Sequence, residues 1–152
     1  MINGVQIKRL IVHKDERGFF SEILRKSDGI FKDGFGQLSF SKAEEGVAKA
    51  WHLHKQQTDW IAALSGDMKL VLYDRREQSP THKEIVEILI GSSHGFKVVK
   101  VPPGVAHGYK VISGPAQVLY VTSREYDPAD ELRIPHDDPE IGYTWDSPYP
   151  IK

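Results

Sequence analysis

Residues 46–66 read GVAKAWHLHKQQTDWIAALSG, two short and mostly apolar runs on either side of a polar break at 55–58. Each run suits a strand and is too short for an ordinary helix, and the closing Ser65-Gly66-Asp67 is turn chemistry. On a strand, residues two apart share a face, so His52 and His54 project together while Trp51 and Leu53 face the other way. The same texture extends in both directions. VQIKRLIVH (5–13), SEILR (21–25), GQLSFS (36–41), MKLVLYD (68–74), EIVEILI (84–90), FKVVKV (96–101) and AQVLYVTSREY (116–126) are short and rich in Val, Ile, Leu and Tyr. DERG (15–18), EEG (44–46), SPT (79–81), PPG (102–104) and SGPA (113–116) separate them as turns. About nine strands with no convincing helix predict an all-β fold, an antiparallel jelly-roll sandwich or barrel. DGIFKDG (28–34) offers one helical turn at most, since two of its residues are glycine.

The 152 residues suffice for one domain with a real core and are too few for two of ordinary size. The expectation is a single domain over 1–152, with the Pro- and aromatic-rich 137–152 as an irregular C-terminal strap. Twenty basic and 21 acidic residues leave a formal charge of -1 without like-charge blocks, so no footprint for nucleic acid is present. Cysteine is absent, which excludes disulfides and thiolate chemistry. The N-terminal residues carry no long apolar run, so neither a signal peptide nor a membrane span is expected, and a cytoplasmic location follows as the default.

Two spacings carry chemistry. The first is Gly46-x5-His52-x-His54-x4-Asp59-x6-Gly66, and the second is Pro102-x-Gly104-x-x-His107. Together they resemble the paired motifs of the cupins, with Asp59 where Glu is usual, which implies a cupin-type jelly-roll barrel of antiparallel strands. Three imidazoles and one carboxylate would suit one divalent transition metal such as Fe, Mn, Ni or Zn. A ring nitrogen bound to a metal has no lone pair for a proton, so His52 is either a ligand or a base. Under the metal alternative, His52, His54, Asp59 and His107 form the site of a metal-dependent cupin enzyme, a dioxygenase or an isomerase.

A closer resemblance covers nearly the whole chain. DERGFFSEI, FGQLSFS, WHLH, SGDMKLVLYDRREQSPT, VPPGVAHGYKVIS, VLYVTSREYDPADE and HDDPEIGYTW follow the order and spacing of the nucleotide-sugar 3,5-epimerases, the dTDP-4-dehydrorhamnose 3,5-epimerase family. That resemblance implies a homodimer that works without a metal or other cofactor. It also implies a nucleotide-sugar substrate, inverted at C3, C5 or both beside a 4-keto group, in polysaccharide precursor synthesis. It places the proton-abstracting base at His52 and the proton donor at Tyr120, thirteen residues after His107. Arg17 and Glu22 match a segment that binds nucleotide across the dimer interface. Gln37 and Ser39 stand at a substrate-binding Gln-x-Asn pair, Lys49 replaces a substrate-binding arginine, and Glu131 matches a further substrate contact. His107 is placed to donate to substrate. Asp59 occupies the position of a family lysine, and the aspartate that orients the base in relatives has no counterpart here, which makes Asp59 a candidate to orient His52. These departures leave a third reading, a catalytically inactive sugar-binding relative.

Overall fold

The computed structural model describes residues 1–151. They form ten strands and no helix: β1 (Gln6–Arg9), β2 (His13–Asp15), β3 (Gly18–Phe20), β4 (Gln37–Ala43), β5 (Ala48–His54), β6 (Asp59–Asp74), β7 (Ile85–Gly91), β8 (Lys97–Val101), β9 (Val105–Thr122) and β10 (Glu131–Arg133). Every strand pairing among them is antiparallel. The all-β expectation therefore stands. No helix among the described residues is long and apolar enough to cross a membrane.

Two expected turns are strand instead. Ser65-Gly66-Asp67 lies inside β6, and Ser113-Gly114-Pro115-Ala116 lies inside β9. The two segments face each other, with Ser65 opposite Gln117 and Asp67 opposite Ser113, and the register slips between these pairs. Gly66, at φ +70°, takes a left-handed conformation that a side chain would strain, and Pro115 has no N–H to give a ladder. These residues bend a long strand pair rather than reverse it, as bulges do. Below the bend the ladder runs β1, β8, β6, β9, β4, and above it β7, β6, β9, β5, β10. β6 and β9 thus belong to both runs.

SEILR, expected as a strand, has no ladder and instead packs Ile23 and Leu24 against the cluster around Trp60 and Val98. The principal core lies on β6, β7, β8 and β9. Met68, Leu70, Ile90, Val99 and Val111 are fully buried there, each contributing about 1.5–3 kcal/mol over exposure. After β10 the described chain has no further strand. Ile141 and Trp145 pack on Trp51, the two indoles edge-on at 4.9 Å. That contact holds the back of β5, the strand whose front carries both histidines.

Candidate active site

The register of β5 against β9 slips between Lys49 and His52. Strict alternation would place Lys49 and His52 on opposite faces, because they are three residues apart. The slip turns both Ala50 and Trp51 into the core, so Lys49, His52 and His54 all line one cavity. Gly108 of β9 fits beneath this irregularity. A Cβ there would lie 2.6 Å from the Ala50 Cβ and 2.7 Å from the Lys49 carbonyl oxygen, so only glycine admits so close a β5.

The cavity measures about 480 Å³ and lies between the two runs of strands. β4 contributes Gln37, Ser39 and Ser41, alternating with the exposed Leu38 and Phe40. Its polar face points inward. β6 adds Asp59 and Ile61, β9 adds His107, Tyr109, Tyr120 and Thr122, and β10 adds Glu131 and Arg133. Of the residues expected from sequence, His52, Tyr120, Gln37, Ser39, Lys49, His107, Glu131, Asp59 and His54 are all here. Arg17 and Glu22 are not. Arg17 sits on the β2–β3 turn, 81% exposed and paired with Asp15 at 2.5 Å, and Glu22 pairs with Arg25.

His52 and Tyr120 approach from different runs. The Nδ1 of His52 lies 2.9 Å from Glu131 Oε1. Burial, with His107 stacked beside it at 6.1 Å, holds the imidazole below its usual value despite the opposing pull of Glu131. Burial pushes the Glu131 carboxyl up, but its bond to His52 and the charges around it outweigh this and leave it below its ordinary value. The Tyr120 hydroxyl meets Ser41 Oγ at 3.2 Å. Burial and the neighbouring Tyr109 raise the Tyr120 phenol, so it keeps its proton.

Asp59 does not orient His52, contrary to expectation. Its Oδ2 lies 3.2 Å from His107 Nε2 and 3.6 Å from His54 Nε2, while its Oδ1 accepts from Gln57 Nε2 at 2.7 Å. Burial pushes this carboxyl up, but His107, His54 and Gln57 more than offset it and keep it ionised. The four-ligand metal set is also corrected. Among the described residues, His54, Asp59 and His107 offer ligand atoms within 4.8 Å of one another and could hold an ion, whereas His52 is turned to Glu131.

Sequence reading missed Ser41, Gln57, Tyr109, Tyr126 and Arg133, all of which line the cavity. Period-two alternation from Ser39, His107 and Glu131 would have found Ser41, Tyr109 and Arg133. Gln57 and Tyr126 lie in irregular segments where no period applies.

The family profile for dTDP-4-dehydrorhamnose 3,5-epimerase matches residues 1–151. The chain is 41% identical over 151 residues to the spore coat polysaccharide biosynthesis protein SpsL of Bacillus subtilis (strain 168), covering 98% of this chain and 99% of that one. It is 33% identical over 150 residues to the probable low-salt glycan biosynthesis epimerase Agl13 of Haloferax volcanii, covering 96% of each. Among solved structures, the dTDP-6-deoxy-D-glucose-3,5-epimerase RmlC of Legionella pneumophila, in complex with dTDP-4-keto-L-rhamnose, superposes with a TM-score of 0.86 at 28% identity, over 99% of this chain and 83% of that one. The residues that converge on the cavity and the match along 1–151 agree: this chain belongs to the dTDP-4-dehydrorhamnose 3,5-epimerase family, a family of isomerases.

Proposed function

We propose that the chain, a single-domain subunit of a cytoplasmic homodimer, epimerises a dTDP-linked 4-keto-6-deoxyhexose at C3, C5 or both in polysaccharide precursor synthesis. The observation that carries this reading is that His52, with its Nδ1 on Glu131, and Tyr120, with its hydroxyl on Ser41, face one cavity from two different runs of strands. Inverting a carbon beside a ketone requires a proton to leave one face and another to arrive on the opposite face.

With Nδ1 engaged by Glu131, the free nitrogen of His52 is Nε2, which takes the carbon-bound proton. The electron pair moves into an enolate, and the Tyr120 hydroxyl returns a proton from the other side. A bare carboxylate beside that enolate would oppose the reaction by several kcal/mol at low dielectric. Here the carboxylate of Asp59 is not bare: Gln57 Nε2 lies 2.7 Å from one oxygen, and His107 Nε2 and His54 Nε2 lie 3.2 and 3.6 Å from the other, so polar groups of the protein solvate it. Epimerases of this family are cofactor-independent, and the His54, Asp59 and His107 cluster is read as a charge network on the cavity wall. Lys49 and Arg133 supply cationic groups for the diphosphate. Arg17 and Glu22, away from their own cavity, act in the partner's, and the exposed Phe19, Phe20, Leu38 and Phe40 provide apolar surface for that association.

The pH dependence follows from the sign of the shifts. A base must be neutral, and a lowered His52 value keeps it neutral further into acid, so activity fades only as pH falls through that value. The acid limb of kcat/KM is expected below pH 6.5, the ordinary histidine value. The raised Tyr120 places any basic limb above its ordinary 10. Proton NMR of the sugar product across this range checks both limbs. An acid limb at or above about pH 7, or no epimer formed at any pH, overturns the reading.

A further inference from the structure

We propose that Glu131 is the positioning residue of the catalytic base, fixing His52 in the tautomer that leaves Nε2 free, and that the short strand β10 exists in this site to hold it there. The inference rests on His52 being the base and adds the group that prepares it.

A carboxylate only accepts hydrogen bonds, so the 2.9 Å contact requires His52 Nδ1 to carry the proton and donate it to Glu131 Oε1. The lone pair then sits on Nε2. A histidine whose ring is free to flip or to swap tautomers presents a donor to the substrate part of the time, and a donor cannot abstract a proton. When His52 becomes an imidazolium, the same carboxylate stabilises the new charge without moving. Asp59 cannot serve here, since both of its oxygens are engaged by Gln57, His54 and His107.

The carboxylate is itself held. Its Oε2 lies 3.5 Å from the Tyr126 hydroxyl and 3.6 Å from Arg133 Nε, and the side chain is only 13% exposed. With both oxygens engaged by protein, Glu131 has a use that the expected substrate contact did not foresee. The strand that carries it is clamped at both ends. Preceding it, the Asp130 carboxylate accepts from the backbone N–H groups of Lys55, Gln56 and Gln57. Following it, Ile134 and Trp51 exchange N–H···O bonds in both directions, each 3.1 Å. β10 therefore lies against β5 with Glu131 opposite His54 and Arg133 opposite His52. Glu131 reaches His52 on the diagonal, the second neighbour that a long side chain can span. Three residues of strand are marginal by themselves, and these clamps decide their register.

The test pairs kinetics with a direct reading of the ring. In wild-type protein labelled with 15N-histidine, the His52 ring is expected as the Nδ1–H tautomer. Glu131→Gln keeps the shape and loses the charge. It is expected to lower kcat about 10- to 100-fold, part of the ~10²–10⁴ that a general base supplies, with KM changed less than about threefold. Its acid limb should move to lower pH, because the carboxylate that raises the His52 value is gone. Glu131→Asp, which retains the charge at a shorter reach, is expected to recover part of kcat. An Nε2–H tautomer in the wild type overturns the proposal whether or not the enzyme turns over. So does a Glu131→Gln enzyme with wild-type kcat and an unmoved acid limb. A wild type that forms no epimer yet shows the Nδ1–H ring would sink the functional reading and leave the positioning intact.

Discussion

Replacing His52 with asparagine is expected to reduce kcat for epimerisation by about 10²- to 10⁴-fold, the usual contribution of a general base, while KM changes little. The side chain is partly exposed at the cavity wall, and the strand beneath it is held by Trp51, Ala50 and Leu53 on the core side, so the fold should survive. Deuterium uptake from heavy water into the sugar should fall by the same factor, because no carbon-bound proton leaves without the base. A His52→Asn enzyme that still exchanges at the wild-type rate would remove His52 from the mechanism.

Tyr120→Phe separates two events that His52→Asn removes together. With the phenol gone, inversion is expected to fall about 10²- to 10⁴-fold, since the opposite face has lost its donor. Exchange should persist well above inversion, because His52 can return a solvent-derived proton to the face it came from. The loss of the Ser41 contact costs stability by only about 0.5–1.5 kcal/mol, so a folded variant is available for assay. Following proton NMR signals of substrate and epimer together reads both rates. Equal loss of exchange and inversion would contradict a donor on the opposite face and point to a single group serving both.

What was legible in the sequence was whatever alternation or fixed spacing encodes. The all-β class, the shared face of His52 and His54, and the positions of His107 and Tyr120 all follow from local patterns or from the family resemblance. The wrong assignments of Glu131 and Asp59 share a cause, contact between residues far apart in the chain. Glu131 and His52 are separated by 79 positions, and nothing local says that a three-residue strand will lie beside β5. Asp59 was the candidate to orient the base because the aspartate that does so in relatives has no counterpart here. In space His54 and His107 claim it. Likewise Gly66 and Pro115 are turn residues that here serve a bend shared by two strands, which can be recognised only when both strands are seen together. The slip between Lys49 and His52 breaks the alternation that sequence reading relied on, and it is what brings the lysine into the cavity.

The question raised by the H-x-H pair, base or ligand, is settled most directly by counting solvent deuterons in wild-type protein stripped of metal by exhaustive chelation. The chelated enzyme, given a dTDP-4-keto-6-deoxyhexose in heavy water, is expected to keep its full rate and to incorporate one deuteron at each carbon it inverts. A rate that collapses on chelation and returns with an added divalent metal would contradict the account and reassign His54, Asp59 and His107 to coordination.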